Sequence, residues 1–144
     1  MLLALGVAIV LMLCVAMRSC IARLRSFPRV ATEEILRVMK ERTDPAELQQ
    51  WAMGILRDAT VSTNLSYEQV PKRLQGLLPG TMRCSVLVGP TPTNSYVAVY
   101  WGSGMVGPWG VAIGAPTFAP TQLELHAAYQ IKWQDGIYVY YSSN

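Results

Sequence analysis

The chain has 144 residues, 51% of them hydrophobic, and a net charge of +3 from 12 Lys and Arg against 9 Asp and Glu. Its positive excess sits in residues 1–29, which hold Arg18, Arg23, Arg25, Arg29 and no acid. Residues 30–144 carry eight basic and nine acidic side chains, which excludes the basic folded surface that a nucleic-acid binder needs. A single histidine, His126, likewise excludes a multi-histidine metal centre.

Residues 1–17 contain no charged side chain and are followed at once by Arg18. Seventeen residues of helix cover only ~25 Å, short of a hydrocarbon core ~30 Å thick. Extension through Ala22 closes that gap, because the stem of Arg18 can run along the helix while its guanidinium reaches the headgroups. A cleaved signal peptide would place basic residues before the apolar run and small residues at the cut; this segment has neither. The reading is therefore a retained transmembrane anchor over residues 1–22 that contacts lipid. With its basic juxtamembrane border it makes up residues 1–28, flanked by Arg18, Arg23 and Arg25. Arginine on the C-terminal side predicts an outside N-terminus and a cytoplasmic domain. An exported domain is the alternative if residues 1–22 serve as a signal sequence.

Residues 29–144 hold enough chain for one core. They divide by composition into a charged part, 29–82, that reads as mainly helical and a part poor in charge, 83–144, that reads as mainly β. A first helix is expected over residues 29–42, with Ala31, Ile35, Val38 and Met39 on one face. Thr43-Asp44-Pro45 stops it, and Asp44 then caps a second helix with Pro45 in its first turn and Glu47 in a capping-box position. Leu48, Trp51, Ala52, Ile55, Leu56 and Ala59 form its apolar stripe. The two helices are expected as an αα-hairpin, followed by a turn or two of helix over 70–77 and a turn at Leu78-Pro79-Gly80.

Five strands are expected, over residues 83–88, 95–101, 109–114, 127–133 and 137–142, in an antiparallel meander with the helices packed on one face. Gln134-Asp135-Gly136 supplies the last hairpin turn. Alternation turns Val97, Val99, Trp101, Tyr129, Ile131, Trp133, Ile137, Val139 and Tyr141 toward the helices. Tyr96, Tyr100, Tyr138 and Tyr140 then fall on the outer face, in a region with few charges. Tyrosine joins a large apolar area to a polar tip, so these four, with Trp109 in the Gly-rich stretch 102–110, are the candidate binding residues.

No catalytic or cofactor motif emerges. The Gly-rich stretch lacks a Gly-Lys-Ser/Thr ending and opens no helix. The pair Cys84 and His126 has the residue types of a nucleophile and its base, with no spacing to support that role. Cys84 is the domain's one cysteine, so no disulfide forms within it, which accords with a reducing compartment. The expectation is a single-pass membrane protein presenting a small noncatalytic α+β domain, which binds or scaffolds a protein partner or pairs with itself through the sheet. A membrane-tethered or exported domain that binds a small ligand or glycan is the alternative, and a small Cys84-dependent hydrolase the second.

Overall fold

The computed structural model describes residues 27–77, 82–102 and 109–142. Within that part helix α1 takes in residues 27–42, so Phe27 and Pro28, expected to precede the helix, are already helical. Proline's fixed φ suits a helix, and the Pro28 carbonyl accepts the Thr32 hydroxyl at 2.6 Å. Its buried face is Thr32, Ile35, Leu36 and Met39, while Arg29–Glu33 and Glu34–Arg37–Glu41 ion pairs line the solvated side. Thr43 ends it by turning both its N–H and its hydroxyl back onto the Met39 carbonyl, at 2.9 and 2.7 Å.

Helix α2, Pro45–Asp58, starts where the capping residues place it: the Asp44 carboxylate accepts the Ala46 N–H at 2.8 Å. Glu47 reaches Arg73 at 3.0 Å. Leu48 and Ala52 are buried, and Trp51, Ile55, Leu56 and Ala59 pack half-buried against the same core. The Gln49 carboxamide donates to the carbonyls of Gly114 and Asp135, at 3.2 and 2.9 Å, and so pins α2 to one end of the sheet. Residues 70–77 make a single turn, with Leu74 and Gln75 N–H groups both donating to the Pro71 carbonyl. Val70, Leu74 and Leu77 from this stretch close the side of the core.

The sheet has six strands: β1 (Thr63–Asn64), β2 (Met82–Leu87), β3 (Tyr96–Trp101), β4 (Trp109–Gly114), β5 (Ala127–Gln134) and β6 (Ile137–Ser142). All neighbours are antiparallel, in the order β1-β2-β3-β4-β6-β5. This corrects the expected meander of four or five strands in two respects. β1, only two residues long, adds an edge, and β6 rather than β5 lies beside β4. The reason for the second change is the segment between β4 and β5. It crosses the outer face and buries Phe118 and Leu125 against Ala112, Tyr138 and Tyr140, which form a second core opposite the helices. With both faces covered, β6 is buried along its whole length and takes an interior place. β5, which carries exposed Lys132 and two register shifts, takes the edge, where charge and bulges discourage pairing with another strand.

The main core lies between the helices and the inner face and includes Val97, Val99, Trp101, Ile137 and Val139, with Ile131 and Trp133 half-buried against it; the expected alternation holds on these strands. The expected anchor, residues 1–22, lies outside the described residues. Among the described residues no helix is long and apolar enough to cross a membrane.

Candidate functional site

The four outer-face tyrosines do not form one open surface. Tyr138 and Tyr140 are only 8% and 5% exposed, because the 115–126 segment lies over them. Phe118 meets Tyr138 edge-on at 5.9 Å and stacks on Tyr96 at 4.9 Å. The Tyr140 ring covers Gly110, where an added Cβ would sit 2.3 Å from its Cζ. Burial, and then the neighbouring Tyr100 and Tyr96, push the Tyr140 phenol well above the usual tyrosine range. Trp109 lies on the opposite face, half-buried against the helix-side core and 6.0 Å from Tyr141. It is not an outer-face partner of the tyrosines. Arg18, Arg23, Arg25 and most of the Gly-rich stretch lie outside the described residues.

Tyr96 and Tyr100 remain half-exposed, and each borders a hollow. The Tyr100 hollow, about 380 Å³, lies at the β1–β2 edge of the sheet. Cys84 and Val86 alternate inward into the core, which turns Arg83 and Ser85 outward beside Tyr100. The Ser85 hydroxyl is 2.7 Å from Asn64 Oδ1 and 2.6 Å from the Tyr100 hydroxyl. A serine has one proton to give. If it goes to the Asn64 carbonyl, Tyr100 must donate to Ser85, and a directed chain runs Tyr100 to Ser85 to Asn64. Among the described residues, that arrangement leaves the Asn64 amide N–H groups and a Tyr100 lone pair for a ligand. Arg83 lines the same hollow and makes no ion pair among the described residues. Leu65, Tyr67, Val70 and Met82 supply an apolar side. On the outer edge of β2 the Leu65 N–H extends the β1 pairing to the Cys84 carbonyl at 2.9 Å, and the Val88 N–H is taken by the Ser62 hydroxyl at 2.9 Å, so the hollow adjoins only the Met82 end of that edge.

A second hollow, about 300 Å³, separates the β2–β3 turn from the 115–126 segment, with Tyr96, Phe118 and Glu124 on its walls. The Glu124 carboxylate there accepts the Thr121 N–H and hydroxyl at 2.6 and 2.9 Å, and these two bonds hold its pKa below the usual range.

The residue types noted for hydrolysis are kept apart. Cys84 is 4% exposed on β2, and burial pushes its thiol up to about 12, so it is not a thiolate at neutral pH. His126 is exposed just before β5. Four strand spacings, ~19 Å, separate β2 from β5. Among the described residues no group of three or more His, Cys, Asp or Glu is placed to hold a metal ion.

Period-2 alternation along residues 83–86 carried the signal for Ser85 and Arg83 facing outward. Asn64 had no such signal, because β1 is too short to show a period. No family model, curated protein or solved structure matches this chain.

Proposed function

We propose that this chain is a single-pass membrane protein whose domain is a noncatalytic binding module, taking a protein partner at the Tyr100–Ser85–Asn64 hollow. The observation that carries this reading is the polar, hydrogen-bonded wall of Tyr100, Ser85 and Asn64, with Arg83 beside it, in one hollow at the sheet edge. A partner segment seated there gains specificity from polar side chains whose hydrogen bonds hold them in place, with the apolar side of the hollow supplying contact area. The closure of the outer face over Tyr138 and Tyr140 moves the recognition surface to the sheet edge and leaves Tyr100 as the tyrosine at its centre. The anchor keeps the topology expected from its flanking arginines, with the domain in the cytoplasm.

The test compares the full chain with a Ser85→Ala, Tyr100→Phe, Arg83→Gln triple variant, each purified from mild detergent together with its bound partners. Loss of a discrete partner in the variant supports the hollow; recovery of the same partners at the same yield by both removes it. A small-ligand reading also has an observation in its favour, since about 380 Å³ falls within the usual range for ligand pockets. Protease digestion of intact cells separates the two compartments: a domain cut from outside supports the exported, ligand-binding alternative.

A further inference from the structure

We propose that the pole of the sheet nearest Phe27 is apposed to the bilayer surface, so that the domain stands on the membrane in a fixed orientation; this rests on the anchored reading above. The strand registers set Met82, Trp101, Trp109 and Tyr141 side by side at one end, with Ala127 and Ser142 next to them. Phe27 packs edge-on against Tyr141 at 6.0 Å and 85°, so α1 enters the domain at this same end. Only residues 23–26 separate Phe27 from the end of the expected span at Ala22. Five Cα steps reach at most ~18 Å, and a headgroup layer ~6 Å thick lies within that distance. A six-residue strand is itself ~20 Å long. The tether therefore holds the Phe27 pole at the headgroups and leaves the other pole, at Leu87, Tyr96, Gly114 and Ile137, out in solvent.

The first described turn of α1 suits that placement. Phe27 is 42% exposed and Val30 58% exposed, apolar surface that a lipid interface accepts more readily than water. Arg29 stands between them, its side chain 68% exposed and paired with Glu33 at 2.8 Å, so the net positive charge here comes from Arg18, Arg23 and Arg25, which precede them in the chain. This pairing of apolar and cationic side chains fits an anionic bilayer surface. The opposite pole has its own exposed valine, Val61 at 68%, beside Ser62, whose hydroxyl accepts the Val88 N–H. The Tyr100 hollow, lined by Met82 and Arg83, then opens sideways near the membrane, and its partner is met close to the lipid.

Val30 and Val61 make a matched pair for the test. In the full chain with Cys14→Ala and Cys20→Ala, leaving Cys84 buried, V30C and V61C are each labelled with bimane. Both are reconstituted into phosphatidylcholine–phosphatidylglycerol vesicles containing a headgroup nitroxide lipid. The expected result is several-fold stronger quenching at position 30 than at position 61. Equal quenching, or stronger quenching at 61, in chains that float with the vesicles after an alkaline wash overturns the orientation while leaving the anchor intact. Chains that do not float overturn the anchored reading and this inference together.

Discussion

A methyl group at Gly136 would meet the Ala115 carbonyl oxygen at 2.3 Å, and its φ of +78° is one that side chains rarely adopt. Gly136→Ala is expected to cost about 2–4 kcal/mol, from the left-handed backbone and the overpacking together, read as a shift in the denaturation midpoint of the detergent-solubilised chain. Cys84 gives a pH dependence with a definite sign. Burial raises its thiol from 9.0 to about 12, so the folded chain keeps a proton that the unfolded chain has lost. The stabilisation is full below pH 9 and is lost as the pH climbs toward 12. A stability series from pH 7 to 11 should therefore fall at its alkaline end, and less steeply in Cys84→Ala. Tyr140, raised from 10.0 by the same cause, adds to the fall in both. A slope identical in the two chains would show that Cys84 is not the group responsible.

Elements were legible where a local signal was strong. Asp44-Pro45 marked the start of α2; Pro108 and Gly114 punctuate both ends of β4, and Gly136 marks the start of β6, so the bounds of both strands match their expected ranges. β1 was invisible, since its two residues are a strand only through pairing with β2. The 115–126 crossing was equally hidden. Phe118 and Leu125 sit in a stretch without period, and nothing local tells a chain to fold across a sheet instead of turning beside it. That omission turned Tyr138 and Tyr140 from expected surface into core and removed half of the expected tyrosine set. Phe118, 4% exposed between Tyr96 and Tyr138, is the residue that holds the crossing down. Phe118→Ala is expected to cost about 3–5 kcal/mol and to expose the Tyr138 and Tyr140 rings, which tyrosine fluorescence and hydrogen exchange in β6 would report. Unchanged protection of β6 would place the crossing's hold elsewhere.

At the scale of the domain, the strand order and the chain order disagree at one place: β6, the last of the described strands, is flanked by β4 and β5. A strand that comes after all the others of its sheet in chain order often lies at a border, where losing it frays one side. Here its loss splits the sheet between β4 and β5 and empties Ile137, Val139, Tyr138 and Tyr140 out of both cores. A chain stopped after Gln134 is expected to be unfolded and rapidly degraded, whereas one missing only residues 143–144 should accumulate normally; pulse-chase half-lives distinguish them. The same arrangement sets a timetable for synthesis. While the ribosome adds residues at ~5–20 per second, the N-terminal strands wait with an unfilled gap, and the domain closes only when its final hairpin is delivered. Termination anywhere before β6 is thus registered as failure to fold, whereas loss of the residues that follow Ser142 is not.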